Sequence, residues 1–383
     1  MPDKSRTELS IIVPVLNEER TVGGLLTLLG GQEGVVFEVM VCDGGSGDDT
    51  LEMARCALDA APFPGRIVRS GPGRGRQMNA GAAESRGEWL LFLHVDSRFE
   101  DSAALRKGVD ALRAAVDSRG DYRVAGRFAL RFEGRGAGSP GCCAFFQGKA
   151  RLNRPGCIHG DQGFLLSRSF FEDLGGYRED QPILEDETLA AAVFEKGAWM
   201  LLPAAIGTSA RRFESEGWFE RQLLNALILN FNRLQWAPFF SQAPGIYRQQ
   251  KDCGPLRLLP FFELIAALLR REPRWERFRL WRGSGDYVND NAWQVALALD
   301  IWRFRMRPEP PIAPAWRCLN AFDGWFRVVV ENPVGRWGCT AAVYLWFHLY
   351  KGLLRWRARG TGSPPGLAES ATENLGEEKN DES

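Results

Sequence analysis

The run W-L-L-F-L at residues 89–93 constrains this chain more than any other stretch. Five consecutive apolar residues fit a strand covered on both faces. Such strands belong to parallel sheets with helices packed on either side. The run breaks on His94, Val95 and Asp96. A carboxylate at the open end of a buried parallel strand faces the crevice where open α/β sheets bind ligands. His94 and Asp96 are also both groups that hold metal. Taken alone, the stretch leaves two alternatives open. Asp96 is a ligand, or it caps the next helix while His94 packs inside.

The flanking sequence repeats the pattern. Residues 11–16 (I-I-V-P-V-L) read as a first buried strand, followed by Asn17, Glu18 and Glu19. A helix then sets Val22, Leu25, Leu26 and Leu29 on one face. Residues 35–42 read as a second strand, alternating around Glu38. It ends in D-G-G-S-G-D-D-T, where Asp48 or Asp49 is a natural cap for the next helix. Residues 66–69 form a short third strand. The loop G-P-G-R-G-R leads into a helix over residues 77–85, and the Trp89 strand is fourth. Strand and helix alternating at this spacing predict an α/β fold with a parallel sheet.

After a helix over residues 103–116 the rhythm changes. Residues 122–132 read as a longer strand of a mixed sheet, and residues 142–152 as helical. Gly160-Asp161-Gln162-Gly163 precedes a strand at 164–167. Glu185-Asp186-Glu187 opens a helix that Gly197 stops. Residues 199–202 form another strand, and an amphipathic helix runs from Trp218 to Leu234. These elements place a first domain at residues 1–240. Residues 241–360 read as helices joined by Pro-containing turns. The polar composition of 361–383 implies a disordered tail.

Several classes are excluded. Lys plus Arg equals Asp plus Glu at 48 each, which leaves no global basic field for nucleic acid. Eight scattered Cys without a C-x-x-C, and only three His, argue against a zinc module and for reduced thiols in a cytoplasmic protein. The N-terminal stretch lacks the pattern of a signal peptide. No run reaches the ~20 apolar residues of a spanning helix. A dinucleotide site needs G-x-G-x-x-G in its first turn, where this chain has P-V-L-N-E-E. No P-loop motif exists. A nucleotide site here therefore needs another way to hold a diphosphate. A divalent cation on Asp96 is one, with Arg74 and Arg76 adding positive charge. Asp43, at the end of the second strand, suits a ribose hydroxyl or a base N–H. Asn79 lies one turn into the following helix. The Glu185-Asp186-Glu187 cluster offers a base, although carboxylates at a helix N-terminus are also favoured by its dipole.

The segments I-I-V-P-V-L-N-E-E, V-C-D-G-G-S-G-D-D-T, G-R-G-R-Q-M-N-A-G, L-F-L-H-V-D-S-R, G-D-Q-G, L-E-D-E-T-L and S-A-R-R-F together resemble a family 2 glycosyltransferase of the GT-A fold. They look most like the bacterial subgroup associated with radical-SAM and selenium-related genes. The resemblance covers roughly residues 8–240. It implies a Rossmann-like, mostly parallel mixed sheet plus a helical C-terminal extension. Pro14, Asn17, Glu18 and Asp43 match residues that cradle the nucleoside, and Arg76 and Asn79 line the same nucleotide-sugar site. His94-Val95-Asp96 stands where the family has D-x-D, so Asp96 matches the metal-binding Asp. His94 replaces the first Asp, and an imidazole suits Mn²⁺ better than Mg²⁺. Asp186 matches the catalytic base. Asp161, Gln162, Glu185, Arg211 and Arg212 fall on the acceptor and diphosphate side. His159 is a further candidate ligand.

The implied reaction is an inverting transfer from a nucleoside-diphosphate sugar, with UDP-sugar ahead of GDP-sugar, to a hydroxyl acceptor. Two rivals stand beside it. A degenerate domain acting as a nucleotide-sugar binding or scaffold module predicts loss of the acid at 96 or 186. A nucleotidyltransferase needs a glycine-rich basic first loop. Residues 256–271 and 337–359 carry apolar stretches with basic and aromatic flanks, which suit peripheral contact with the inner face of a membrane and a lipid or lipid-linked acceptor.

Overall fold

The computed structural model describes residues 7–133, 140–181, 183–250, 254–304 and 316–360. The first half alternates as expected: β1 (Leu9–Val15), α1 (Val22–Leu29), β2 (Phe37–Asp43), α2 (Thr50–Asp59), β3 (Gly65–Arg69), α3 (Arg74–Glu84), β4 (Trp89–Phe92) and α4 (Ala104–Arg119). There follow β5 (Val124–Glu133), α5 (Pro140–Lys149), β6 (Phe164–Ser167), α6 (Arg168–Leu174), α7 (Glu185–Lys196) and β7 (Ala198–Ser209). The strands form one seven-stranded sheet in the order β3-β2-β1-β4-β6-β5-β7. β1 pairs in parallel with β2 and β4, and β2 with β3. β6 runs antiparallel between β4 and β5, and β5 and β7 are parallel. This is the α/β mixed sheet that the motif order implied.

Two apolar layers sandwich the sheet. On one face Ile11, Val13, Val39 and Leu91 pack with Leu25, Leu26 and Leu29 of α1 and Leu105, Val109 and Leu112 of α4. On the other, Ile12, Met40, Leu90 and Phe92 pack with Met78 of α3, Phe170 of α6 and Leu189 and Val193 of α7. Residues of both parities along one strand are thus covered, which is why these strands read as unbroken apolar runs.

β2 departs from the expected alternation, since all of it is buried. Glu38 accepts from the Ser10 hydroxyl at 2.8 Å and from the Arg86 N–H at 2.5 Å, so its charge lies inside with partners. Helix α3 begins at Arg74 rather than near Gln77, which puts Arg74 and Arg76 in its first turn.

The compact units divide between Ala210 and Arg211, not near residue 240, with the start of α5 up to Cys142 grouped with the second. The second unit holds α8 (Arg211–Glu216), α9 (Trp218–Arg233), α10 (Ala237–Gln250), α11 (Leu259–Arg271), α12 (Arg274–Asp290) and α13 (Trp293–Phe304). Then come α14 (Arg317–Ala321), a π-helical turn (Phe322–Phe326), α15 (Arg327–Val330) and α16 (Pro333–Gly360). The boundary falls early because Leu224, Leu227 and Phe231 of α9 share a core with Phe261, Phe262 and Ile265 of α11.

The two candidate interface segments differ. In α11 the apolar residues Phe261, Phe262, Ile265, Leu268 and Leu269 are buried, which removes 256–271 as a surface-seeking face. On α16, Trp337, Leu345, Leu349 and Trp356 are exposed. No helix among the described residues is long and apolar enough to cross a membrane. The expected tail at 361–383 lies outside the described residues.

Candidate active site

The parallel strands β1, β2 and β4 end along one edge of the sheet, and Pro14 opens a gap between two of them. The Leu93 N–H donates to the Ile12 carbonyl at 3.0 Å, the last bond between the β1 and β4 sides. Residue 14 points the same way as residue 12 but has no N–H to give, so the pairing stops there. On the other side β1 stays registered with β2 through Val15 and Asp43. The gap is the crevice of the switch point, where the chain has gone out from β1 to both sides.

The loops after β1 and β2 are tied to each other. Asn17 sits in the left-handed region at φ 56°, which Asn tolerates better than most residues. Its Oδ1 accepts from the Gly47 N–H at 2.9 Å, and its own N–H donates to Ser46 Oγ at 3.0 Å. The Glu18 N–H donates to Thr50 Oγ1 at 2.6 Å. Buried Asp43 accepts from the N–H groups of Gly45 at 3.1 Å and Ser46 at 3.0 Å. Gln77, which the sequence did not single out, donates to the carbonyls of Val15 and Cys42, both at 2.7 Å. It clamps the two strand ends from below.

Beside this cradle lies a second group of side chains. Because β6 runs antiparallel to β4, with Phe164 opposite Phe92, the 3₁₀ turn Gly160–Gln162 comes alongside the end of β4. The Gly160 N–H donates to Asp186 Oδ2 at 2.8 Å. A methyl group on Gly160 would lie 2.9 Å from His94 Nε2 and 3.3 Å from Asp186 Oδ2, so only glycine lets these residues converge. Arg74 Nη1 approaches His94 Nε2 at 3.5 Å, and its Nε lies 2.8 Å from buried Glu185. His159 Nδ1 is 2.7 Å from Glu187 Oε1. Thr208 donates to Asp96 Oδ2 at 3.3 Å from β7.

Burial pushes the Asp186 carboxyl up, but His159, the Gly160 N–H, Arg74 and His94 outweigh it and hold it below the ordinary Asp range. Asp161 goes the other way, to about 6. Burial lifts it, His159 opposes, and the charges of Asp186 and Asp96 add to the lift. Glu185 is raised chiefly by burial, against the pull of Arg74. Burial lowers His159, but its contact with Glu187 wins and raises it. Asp161 Oδ1 and Gln162 Oε1 are buried without a hydrogen-bond partner. The Oε1 atoms of Glu185 and Glu187 have close cations but no aligned hydrogen bond.

Two expected residues make contacts that the sequence did not signal. Asn79 donates to the Tyr177 carbonyl and to Glu179, both at 2.9 Å, and accepts from the Tyr177 N–H at 2.9 Å. Its amide is occupied in holding the 177–179 loop. Arg76 faces Glu179 at 3.4 Å. Arg211 and Arg212 open α8 and belong to the second unit. Asp96, His94, Asp161, Gln162, Glu185 and Asp186 cluster. The motifs did not mark Tyr177, whose hydroxyl burial raises well above its ordinary pKa with Asp186 and Glu185 adding to the effect, nor the pairing of Glu187 with His159. No spacing in the sequence signals either.

The Asp96 carboxylate, the His94 imidazole and the unpartnered Asp161 oxygen are donors of the kind a divalent cation takes. Among the described residues no three His, Cys, Asp or Glu groups are gathered closely enough to hold an ion by themselves. Mg²⁺ and its like commonly bind through one or two carboxylates plus substrate phosphates.

The sheet carries acids at or just beyond the ends of β2 and β4, with a carboxylate cluster across the crevice. Residues 10–175 match the family model described as Glycosyl transferase family 2. Asp186 lies beyond the end of that match. An uncharacterised glycosyltransferase of Haemophilus influenzae is 36% identical over 93 residues, which is 24% of this chain and 30% of that protein's length. Among solved structures, a mannosyltransferase from Pyrobaculum calidifontis in complex with GDP-Man and Mn²⁺ is 17% identical, with 92% of this chain and 89% of that one covered at a TM-score of 0.45. TarS of S. aureus in complex with UDP is also 17% identical, covering 82% of this chain and 91% of that one at a TM-score of 0.44.

Proposed function

We propose that the chain is an inverting glycosyltransferase that moves a sugar from a nucleoside-diphosphate sugar to a hydroxyl acceptor. The observation that carries the reading is the Asp186 carboxylate. It is held ionised by the Gly160 N–H at 2.8 Å and converges with His94 and Asp161 at the mouth of the β1–β4 gap. The family match over residues 10–175 supports it.

In this reading the tied loops after β1 and β2 receive the nucleoside, with Asp43 and Asn17 fixing their shape. His94, Asp96 and Asp161 would hold a divalent cation, which when bound neutralises diphosphate charge and acts as Lewis acid. Arg74 adds positive charge from the first turn of α3. Asp186 accepts the proton of the acceptor hydroxyl as that oxygen bonds to the anomeric carbon from the face opposite the diphosphate. The bond from the anomeric carbon to the diphosphate oxygen breaks, and the nucleoside diphosphate leaves with the electron pair. The exposed aromatic face of α16 supports contact with a membrane surface and an acceptor carried by a lipid.

The test is a panel of UDP- and GDP-sugars with Mn²⁺, following donor binding by calorimetry and donor turnover by released nucleoside diphosphate. Asp186→Asn is expected to bind donor and not turn it over, and Asp96→Ala to lose Mn²⁺-dependent binding. Turnover untouched by both substitutions would sink the assignment. Donor binding without turnover in the wild type, across all acceptors tried, would favour a binding module.

A further inference from the structure

The second unit contains a cavity of about 350 Å³ between α9, α11, α12 and α16. Its wall is apolar: Leu227 and Phe231 from α9, Ile265 and Leu269 from α11, Leu280 from α12 and Phe347 from α16. A void of this size is within the range of small-ligand pockets and far above ordinary packing defects. Helices that could close by a small shift do not, and the lining forfeits the contacts that closure would give.

One polar side chain faces this space without being satisfied. Asn230 lines the cavity, is 7% exposed, and donates from Nδ2 to Ser284 Oγ at 2.9 Å. Its Oδ1 has no hydrogen-bond partner. Exchanging the amide's two ends would leave the other half unpaired instead. An amide half buried in an apolar wall is costly unless an occupant pairs with it. A hydroxyl can do so in either orientation, because it both donates and accepts.

The opening is apolar as well. Val288 of α12 and Trp346 of α16 line the cavity and are exposed. Tyr344, Leu345 and Leu349 extend the exposed surface along α16. An occupant therefore reaches the interior from an apolar phase without crossing a charged rim at these positions.

We propose that this cavity binds the aliphatic chain of a lipid that carries a hydroxyl, with the chain among the α9, α11 and α16 side chains and the hydroxyl on Asn230. The assignment goes beyond the sugar-transfer reading and does not rest on it. Straight-chain and isoprenoid alcohols share this chemistry, and the test separates them.

The experiment uses the full chain and displacement of fluorescent cis-parinaric acid, with dodecan-1-ol and farnesol as competitors. Wild type is expected to take up the probe and release it to at least one alcohol, the more effective one identifying the chain type. Ala342→Trp narrows the mouth from an exposed position that tolerates bulk, and Leu227→Trp fills the interior. Each is expected to weaken binding at least tenfold. Asn230→Leu is expected to weaken the alcohols about fivefold while the probe still binds. Circular dichroism confirms that each variant is folded. No uptake by wild type, or uptake by a folded Ala342→Trp equal to wild type, would overturn the proposal. So would a concentration-dependent dimer that Ala342→Trp abolishes while lipid binding is absent, since the opening would then belong to a second copy.

Discussion

Two groups of polar residues sit side by side on one edge of the sheet, and they are built on opposite terms. In the loops after β1 and β2 the polar side chains are matched to partners: Asn17 to Gly47, Asp43 to Gly45 and Ser46, Gln77 to two strand-end carbonyls. Around Gly160, Asp161 Oδ1 and Gln162 Oε1 have none, and burial, with the charges of Asp186 and Asp96 adding to it, lifts Asp161 to about 6. A satisfied network holds a shape, whereas an unsatisfied buried one marks where something else must bind. In the proposed reading Asp43 and Asn17 contribute to a nucleoside site through the loops they fix, and the chemistry belongs to the unsatisfied side.

The contrast can be broken most forcefully at Asp186. Asp186→Asn is expected to reduce sugar transfer by about 10²–10⁴-fold while donor affinity stays near that of wild type. Retained turnover in that variant, together with its loss in Asp161→Asn, would move the base to Asp161, whose raised pKa lies closer to neutral.

On the satisfied side the effect is on stability. Asp43→Ala leaves the N–H groups of Gly45 and Ser46 without their partner in a part-buried turn and is expected to lower stability by about 1 kcal/mol, read from a urea titration. An unchanged midpoint would show that the loops do not depend on this carboxylate.

Asp161 sharpens the comparison through pH. Its carboxyl binds a proton more tightly folded than unfolded, so its share of stability falls as pH rises from about 4 toward about 6 and stays low above that. In EDTA, Asp161→Asn is expected to melt above wild type at pH 8, by roughly 2–4 °C for each kcal/mol recovered, and level with it at pH 4. Mn²⁺ should narrow the gap by stabilising only the wild type. A variant less stable than wild type at pH 8 would place Asp161 among the satisfied residues.

The smallest effect is expected away from both groups. Burial pushes Glu8 up, but Arg106 and Arg113 of α4 outweigh it and lower its pKa. The stabilisation is therefore present above the ordinary glutamate pKa near ~4.3 and disappears as pH falls through the folded value. Glu8→Gln should lose about 1 kcal/mol or less at pH 7 and less as pH falls into the acid range, by thermal melts at each pH.

Much of this was legible in residue order. The apolar runs at β1, β4 and β6 marked strands, and Gly197 ended α7 where the sequence placed it. The His94–Asp96 break and the Asp186 cluster stood out for the same reason: charge directly after an apolar run. Other features carry no local trace. Glu38 reads as a surface position because its partners, Ser10 and Arg86, are 28 and 48 residues away. Arg127 lies within the run at 122–132 without a local sign of burial, and its guanidinium lies inside and donates to the carbonyls of Ala150 and Leu152 at 3.0 and 2.9 Å. His159 and Glu187 belong to different elements, so neither announces the other. The place of Asn79 on α3 was visible in the sequence, while the loop that occupies its amide was not.

The brevity of β6 sets a tolerance for everything around Gly160. Four residue pairs, from Trp89 with Ser167 to Phe92 with Phe164, fix how far the 3₁₀ turn advances along β4. A slip by one residue would turn Phe164 and Leu165 to the wrong faces. A slip by two restores the faces but displaces Gly160 by roughly 7 Å along the strand, beyond reach of Asp186. The strand works as a vernier: its side chains permit one setting, and at that setting alone do Gly160 and Asp186 come into line.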